Sequence, residues 1–97
     1  MLTPKQRRFL KAEAHHLKPV VQIGKSGVTD PLVLEIETVL DGLELIKAKL
    51  NQNAPDESFA VTELAKKIPD MEHVWTIGRT ILLFRPNRTR PTKYPLG

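Results

Sequence analysis

Apolar positions along this chain change their period several times. From Pro4 to about His16, Leu10, Ala14 and Leu17 recur at i, i+4 and i+7, which marks one stripe of a helix. Thr3 with Gln6 three positions on makes a capping-box pattern, and Pro4 takes the first helical position. Lys18-Pro19 ends the helix, because the residue before proline avoids the α region. The β-branched run Val20 to Ile23 suits a strand. Helical spacing returns from about Asp30 to Asp41 with Leu32, Ile36, Val39, Leu40 and Leu43, and Gly42 is placed for a left-handed stop. Glu35, Glu37, Asp41 and Glu44 give that helix an acidic outside. Leu45 to Leu50 alternates, with Ile46, Ala48 and Leu50 on one side and Lys47 and Lys49 on the other. After a polar turn stretch containing Pro55, a third helix is expected from about Glu57 to Ile68, with Val61, Leu64, Ala65 and Ile68 inward and Pro69 closing it. His73 to Ile77 and Thr80 to Arg85 read as strands joined by Gly78-Arg79, a hairpin signal. Ile81-Leu82-Leu83-Phe84 is apolar on both faces, so the fourth strand belongs inside the sheet.

The order helix-strand-helix-strand-helix-strand-strand predicts a single small α/β domain with a four-stranded mixed sheet. Right-handed crossovers make strands 1, 2 and 3 parallel, and the hairpin makes strand 4 antiparallel. The 97 residues make one domain. Residues 1–86 form it. Residues 87–97, with Arg88, Arg90, Lys93 and Tyr94 among prolines, read as a loose basic tail. Phe9, Phe59 and Phe84 are expected in the core, and Trp75 is expected to pack in the sheet. With no cysteine there is neither disulfide nor thiolate metal site, which fits a reducing compartment. No apolar run matches a signal peptide or a membrane span, so a cytoplasmic location is expected.

Charge changes the picture. Residues 1–29 carry six Lys/Arg against Glu13 alone, residues 30–72 carry four against ten Asp/Glu, and residues 73–97 carry five with no acid. Both ends therefore suit a polyanion. On the first helix, Arg7, Arg8, Lys11, His15 and Lys18 cluster beside the apolar stripe. Between the first strand and second helix lies Gly24-Lys25-Ser26-Gly27, followed by Thr29 or Asp30 as the helix cap and by Pro31. Glycines let another backbone approach, free amides at a helix start favour an anion, and Lys25 adds a full charge. The loop reads as a phosphate-contacting turn. It is no nucleotide-binding P-loop, because Pro19 stands where that motif requires its first glycine.

Catalysis and metal binding find little footing. His15 and His16 are adjacent on a helix and point about 100° apart, so they form no i, i+4 metal pair, and His73 is distant in sequence. No cofactor and no enzymatic activity are expected.

Leu17-Lys18-Pro19-Val20-Val21-Gln22-Ile23-Gly24, the Gly24–Gly27 loop, Glu44-Leu45-Ile46-Lys47-Ala48-Lys49 and Ile77-Gly78-Arg79-Thr80 with Arg85-Pro86 stand together in order. In these segments the chain resembles the CRM (chloroplast RNA splicing and ribosome maturation) domain, especially its small stand-alone bacterial YhbY-like members. The resemblance spans about Thr3 to Pro86. It implies a fold similar to the C-terminal domain of bacterial translation initiation factor three, with strand order 1-2-4-3. It also implies RNA binding through the loop and basic surface, and association with precursors of the large ribosomal subunit.

The expected RNA contacts are thus Gly24, Lys25, Ser26 and Gly27, with Arg7, Arg8, Lys11 and Lys18 lining the approach and Lys47, Lys49, Arg79 and Arg85 as further candidates. With few aromatics, backbone contacts should outweigh base reading, which favours structured RNA chosen by shape. Gly27→Asp is expected to weaken binding and leave the rest of the fold intact. The alternative function is a protein-interaction module without RNA contact, pairing its acidic and basic surfaces with partner proteins.

Overall fold

Seven elements succeed one another as the apolar pattern predicts: α1 (Pro4–Glu13), β1 (Pro19–Ile23), α2 (Asp30–Leu43), β2 (Leu45–Leu50), α3 (Glu57–Lys67), β3 (Glu72–Ile77) and β4 (Thr80–Phe84). They come from a computed structural model that describes residues 2–87 and 89–96. The sheet order is β1-β2-β4-β3, with β1 parallel to β2 and β4 antiparallel to both β2 and β3. β4 is therefore interior, as its two-sided apolarity requires.

The two faces of the sheet bury different helices. Val21, Ile23, Ile46, Ala48, Leu50, Ile81 and Leu83 point toward Leu32, Ile36 and Leu40 of α2 and Ala60 and Leu64 of α3. Leu45, Val74, Leu82 and Phe84 point the other way, toward Leu2, Leu10 and Ala14 of the α1 segment. Each set follows from strand alternation, since successive side chains take opposite faces. The result is a three-layer domain, two helices on one face and one on the other.

Local signals place the helix ends. At α1 the Thr3 hydroxyl accepts from the Gln6 N–H (3.1 Å) while the Thr3 N–H donates to Gln6 Oε1 (2.9 Å), so the capping box is complete. Thr29, rather than Asp30, caps α2 by accepting from the Leu32 N–H. Asp56 caps α3. Gly78 carries φ 57° at the first of the two hairpin-turn positions, where a side chain would strain the turn.

Several expectations are corrected. Gly42 lies within α2, and the left-handed residue that stops the helix is Glu44, with φ 67°. Glu44 is also not on an acidic exterior: it is 2% exposed, turned into the protein. Phe9 and Phe59 are exposed rather than core, whereas Phe84 is fully buried. On α3 the inward alanine is Ala60, and Ala65 faces solvent. Helix α1 ends at Glu13, with turns carrying the chain to His16.

The stretch after Pro86 lies back over the domain. Asn87 and Lys93 donate their backbone N–H groups to the Glu44 carboxylate (3.1 and 3.0 Å), and the Thr92 hydroxyl donates to it as well. Tyr94 and Leu96 join the α1-side core, with the Tyr94 ring edge-on to Phe84 at 6.3 Å. Arg88 lies outside the described residues.

Candidate nucleic-acid interface

The glycine loop begins where β1 leaves the sheet. Gly24 accepts from the Gly27 N–H (2.9 Å), closing a four-residue turn that holds Lys25 and Ser26 out in solvent. Gly27 has φ 71° and is buried, with Pro55 beneath it; Gly24 has nothing within 4 Å of where a Cβ would stand. One glycine supports the turn and the other leaves its approach open. The backbone N–H groups of Lys25, Ser26 and Val28 have no partner among the described residues. Three unpaired donors, a lysine and the start of α2 together make a surface suited to phosphate oxygens. The nearby Asp30 carboxylate is fully solvated and reaches Lys67 at 3.5 Å, an exposed pair worth about 0–1 kcal/mol.

Pro55 owes its position to Arg79. The Arg79 guanidinium donates to the carbonyls of Asn51 (2.7 Å) and Ala54 (3.2 Å) and pairs with Glu57 at 3.0 Å. It pins the 51–55 turn on which Gly27 rests. Its hydrogen-bonding capacity is directed inward, so it holds the loop from below.

Other expected contacts are similarly engaged. Arg7 donates through Nη1 to the carbonyls of His73 (2.6 Å) and Val74 (2.9 Å), tying α1 to β3. Lys47 donates to the Leu17 carbonyl at 2.9 Å, tying the exit of α1 to β2. Arg85, with only 12% of its side chain exposed, faces Asp41 at 2.7 Å, Asp70 at 3.4 Å and Glu37 at 3.6 Å. Burial alone would lower its pKa, and Asp41 and Asp70 outweigh that and raise it above the ordinary value. Arg7, Lys47, Arg79 and Arg85 thus each direct hydrogen bonds or ion pairs into the fold.

Arg8, Lys18, Lys25 and Lys49 remain exposed. Lys11 is half-buried, its ammonium 4.5 Å from the centre of the Trp75 ring, a contact worth about 0.5–1 kcal/mol near a surface. Lys49 stands on the α1 face of the sheet, in a cross-strand row running Gln22, Lys49, Thr80, Ile77. That row starts at Gln22, two residues before Gly24. Lys18 stands at the opposite end of β1, about 20 Å from Gly24 at strand rise. The loop and Lys49 thus share one end of the sheet, while Lys11 lies over Trp75 on the far edge strand, in the row that meets β1 at Pro19 beside Lys18.

His73 is held by hydrogen bonding between its Nε2 and Thr76 Oγ1 at 2.7 Å. Burial, and then the Arg7 charge, push its pKa down. Among the described residues no three His, Cys, Asp or Glu side chains group to hold a metal, and no helix is long and apolar enough to cross a membrane.

The chain is thus a small α/β domain with helices on both faces of a four-stranded sheet and a glycine turn where its parallel edge strand ends. Residues 2–85 match the CRS1/YhbY (CRM) domain, and the chain belongs to that family. It is 42% identical over 88 residues to a Bacillus subtilis protein named probable RNA-binding protein YqeI, covering 91% of this chain and 92% of that one. A Haemophilus influenzae protein named RNA-binding protein is 35% identical over 94 residues, covering 97% and 95%. The solution structure of a Staphylococcus aureus protein, 33% identical, superposes with a TM-score of 0.71 over 98% of this chain and all of that one.

Proposed function

We propose that this protein is a non-enzymatic RNA-binding domain that grips the RNA backbone with its glycine loop and the cationic end of its sheet. The observation that carries this reading is the loop itself: N–H groups on Lys25, Ser26 and Val28 that have no partner among the described residues, beside an exposed lysine and an unobstructed Gly24. Backbone amides and lysines recognise phosphate whatever the base, as in modules where a GxxG loop clamps a few nucleotides. RNA binding in the names of the relatives supports RNA over other polyanions. Lys25 supplies the charge within the loop and Lys49 the charge on the adjoining sheet face, and Lys11, Arg8 and Lys18 extend it. Arg7, Lys47, Arg79 and Arg85 act by holding the elements in place.

The place of action we propose is the precursor of the large ribosomal subunit, in the cytoplasm, a reading that rests on the family resemblance. Sucrose-gradient fractionation of cells carrying a tagged chain tests it. The tag is expected with large-subunit precursors and released by ribonuclease. Association that survives complete RNA digestion would support the protein-interaction alternative.

A further inference from the structure

The α1 face of the sheet is covered unevenly. Helix α1 lies over Leu82, Val74, Leu45 and Phe84, and Tyr94 and Leu96 cover the end nearest Leu45. The opposite end is open. There Ile77 is 54% exposed and Trp75 is 39% exposed, on the same face as Lys49 and Gln22. The row nearest the glycine loop contains Gln22, Lys49, Thr80 and Ile77, and the next row on this face contains Pro19, Lys47, Leu82 and Trp75, with no acidic residue in either. Glu72 pairs with Phe84 in the following row of this face, three positions before Trp75 and about 10 Å from it at strand rise.

This strip runs from Gln22, beside the glycine loop, across to Ile77, about 14 Å over three strand spacings, with Trp75 two residues back along β3. An exposed indole beside an exposed isoleucine, bracketed by ammonium groups, suits a flat aromatic ligand that carries negative charge. A nucleotide has both properties. We propose that an unpaired base of the bound RNA stacks on Trp75, with Ile77 beside it and Lys11 and Lys49 on the flanking phosphates. The proposal rests on the RNA-binding reading above and adds to it that the ligand presents an unpaired segment. In the free protein Lys11 lies over the ring. A base stack outweighs an exposed cation–π contact, so the lysine yields the ring and turns to phosphate.

Trp75 is the single tryptophan of the chain, so its emission reports this position alone. The full chain is titrated at low salt with a short oligoadenylate and with a blunt RNA duplex of equal length, following tryptophan emission and electrophoretic mobility together. The oligoadenylate is expected to shift mobility and quench the emission, and the duplex to bind without quenching. Trp75→Ala is expected to lose about 5- to 150-fold in oligoadenylate affinity, whereas Trp75→Phe retains most of it. Both variants should change duplex affinity by less than about twofold. Binding of oligoadenylate with unchanged emission overturns the stack and leaves the RNA reading standing, as does a folded Trp75→Ala with unchanged affinity. Absence of binding by either RNA overturns both.

Discussion

Gly24 and Gly27 differ in what they tolerate. A side chain at Gly24 enters open space, while one at Gly27 meets Pro55 Cγ at 3.1 Å on a backbone with φ 71°. Gly27→Asp therefore strains the turn, and is expected to cost about 1–2 kcal/mol in urea unfolding from the left-handed backbone alone. Gly24→Asp is the cleaner probe. It should change stability by less than about 0.5 kcal/mol and still lower RNA affinity measured by filter binding, because the carboxylate repels phosphate. Unchanged affinity there would remove the loop from the mechanism. At this scale the sequence showed residue types but not their partners. Arg7 and Lys49 both read as surface cations, yet one is directed to carbonyls on a strand 66 residues away and the other to water. Glu44 was misread for the same reason, since its partners lie more than 40 residues downstream. Phe9 and Phe59 were misread because hydrophobicity does not fix burial on a small domain.

Among the elements, the turn pinned by Arg79 and the stretch latched by Glu44 show how distant parts support each other. Arg79→Ala should loosen the 51–55 turn, weaken RNA binding through Gly27, and leave the salt dependence of binding unchanged. Lys25→Ala should instead reduce the slope of log affinity against log salt by about one phosphate contact. A slope reduced in Arg79→Ala would make Arg79 a direct contact. At Glu44, burial would raise the pKa; hydrogen bonds from Thr92, Lys93 and Asn87, with the Lys93 charge, outweigh it and lower the value from the ordinary 4.5. His73 is also lowered, from 6.5, by burial and by Arg7. In both cases the unfolded chain takes up protons at higher pH than the folded one. Stability is thus fully present above the unfolded values and declines as pH falls, first below 6.5 through His73 and again below 4.5 through Glu44. Thermal melts across pH 7 to 3 are expected to show both declines, with Glu44→Gln flattening the lower one. A lower limb unchanged in Glu44→Gln would detach the latch from acid stability. Element order and type were legible from periodicity, caps and the hairpin glycine. The end of α2 was not, because a buried carboxylate stabilised by remote donors overrode the glycine signal.

Over the whole molecule, charge and cover coincide: α2 and α3 bury one face of the sheet, α1 and residues 94–96 bury part of the other, and the remainder adjoins the glycine loop. Strand order came from resemblance, and β4's two-sided apolarity agreed with it. The open strip could not be read from sequence, because it depends on which helix covers which strand ends. With three to five exposed cations engaged, log affinity should fall against log salt with a slope of about −2 to −4.5. The central claim is that RNA lies along the glycine loop and this end of the sheet. Titrating the nitrogen-15-labelled chain with oligoadenylate and following every backbone amide tests it most directly. The largest shifts are expected at Lys25, Ser26, Val28 and Lys49, with the outer faces of α2 and α3 still. Shifts confined to those helices, with the loop amides unmoved, would contradict the account.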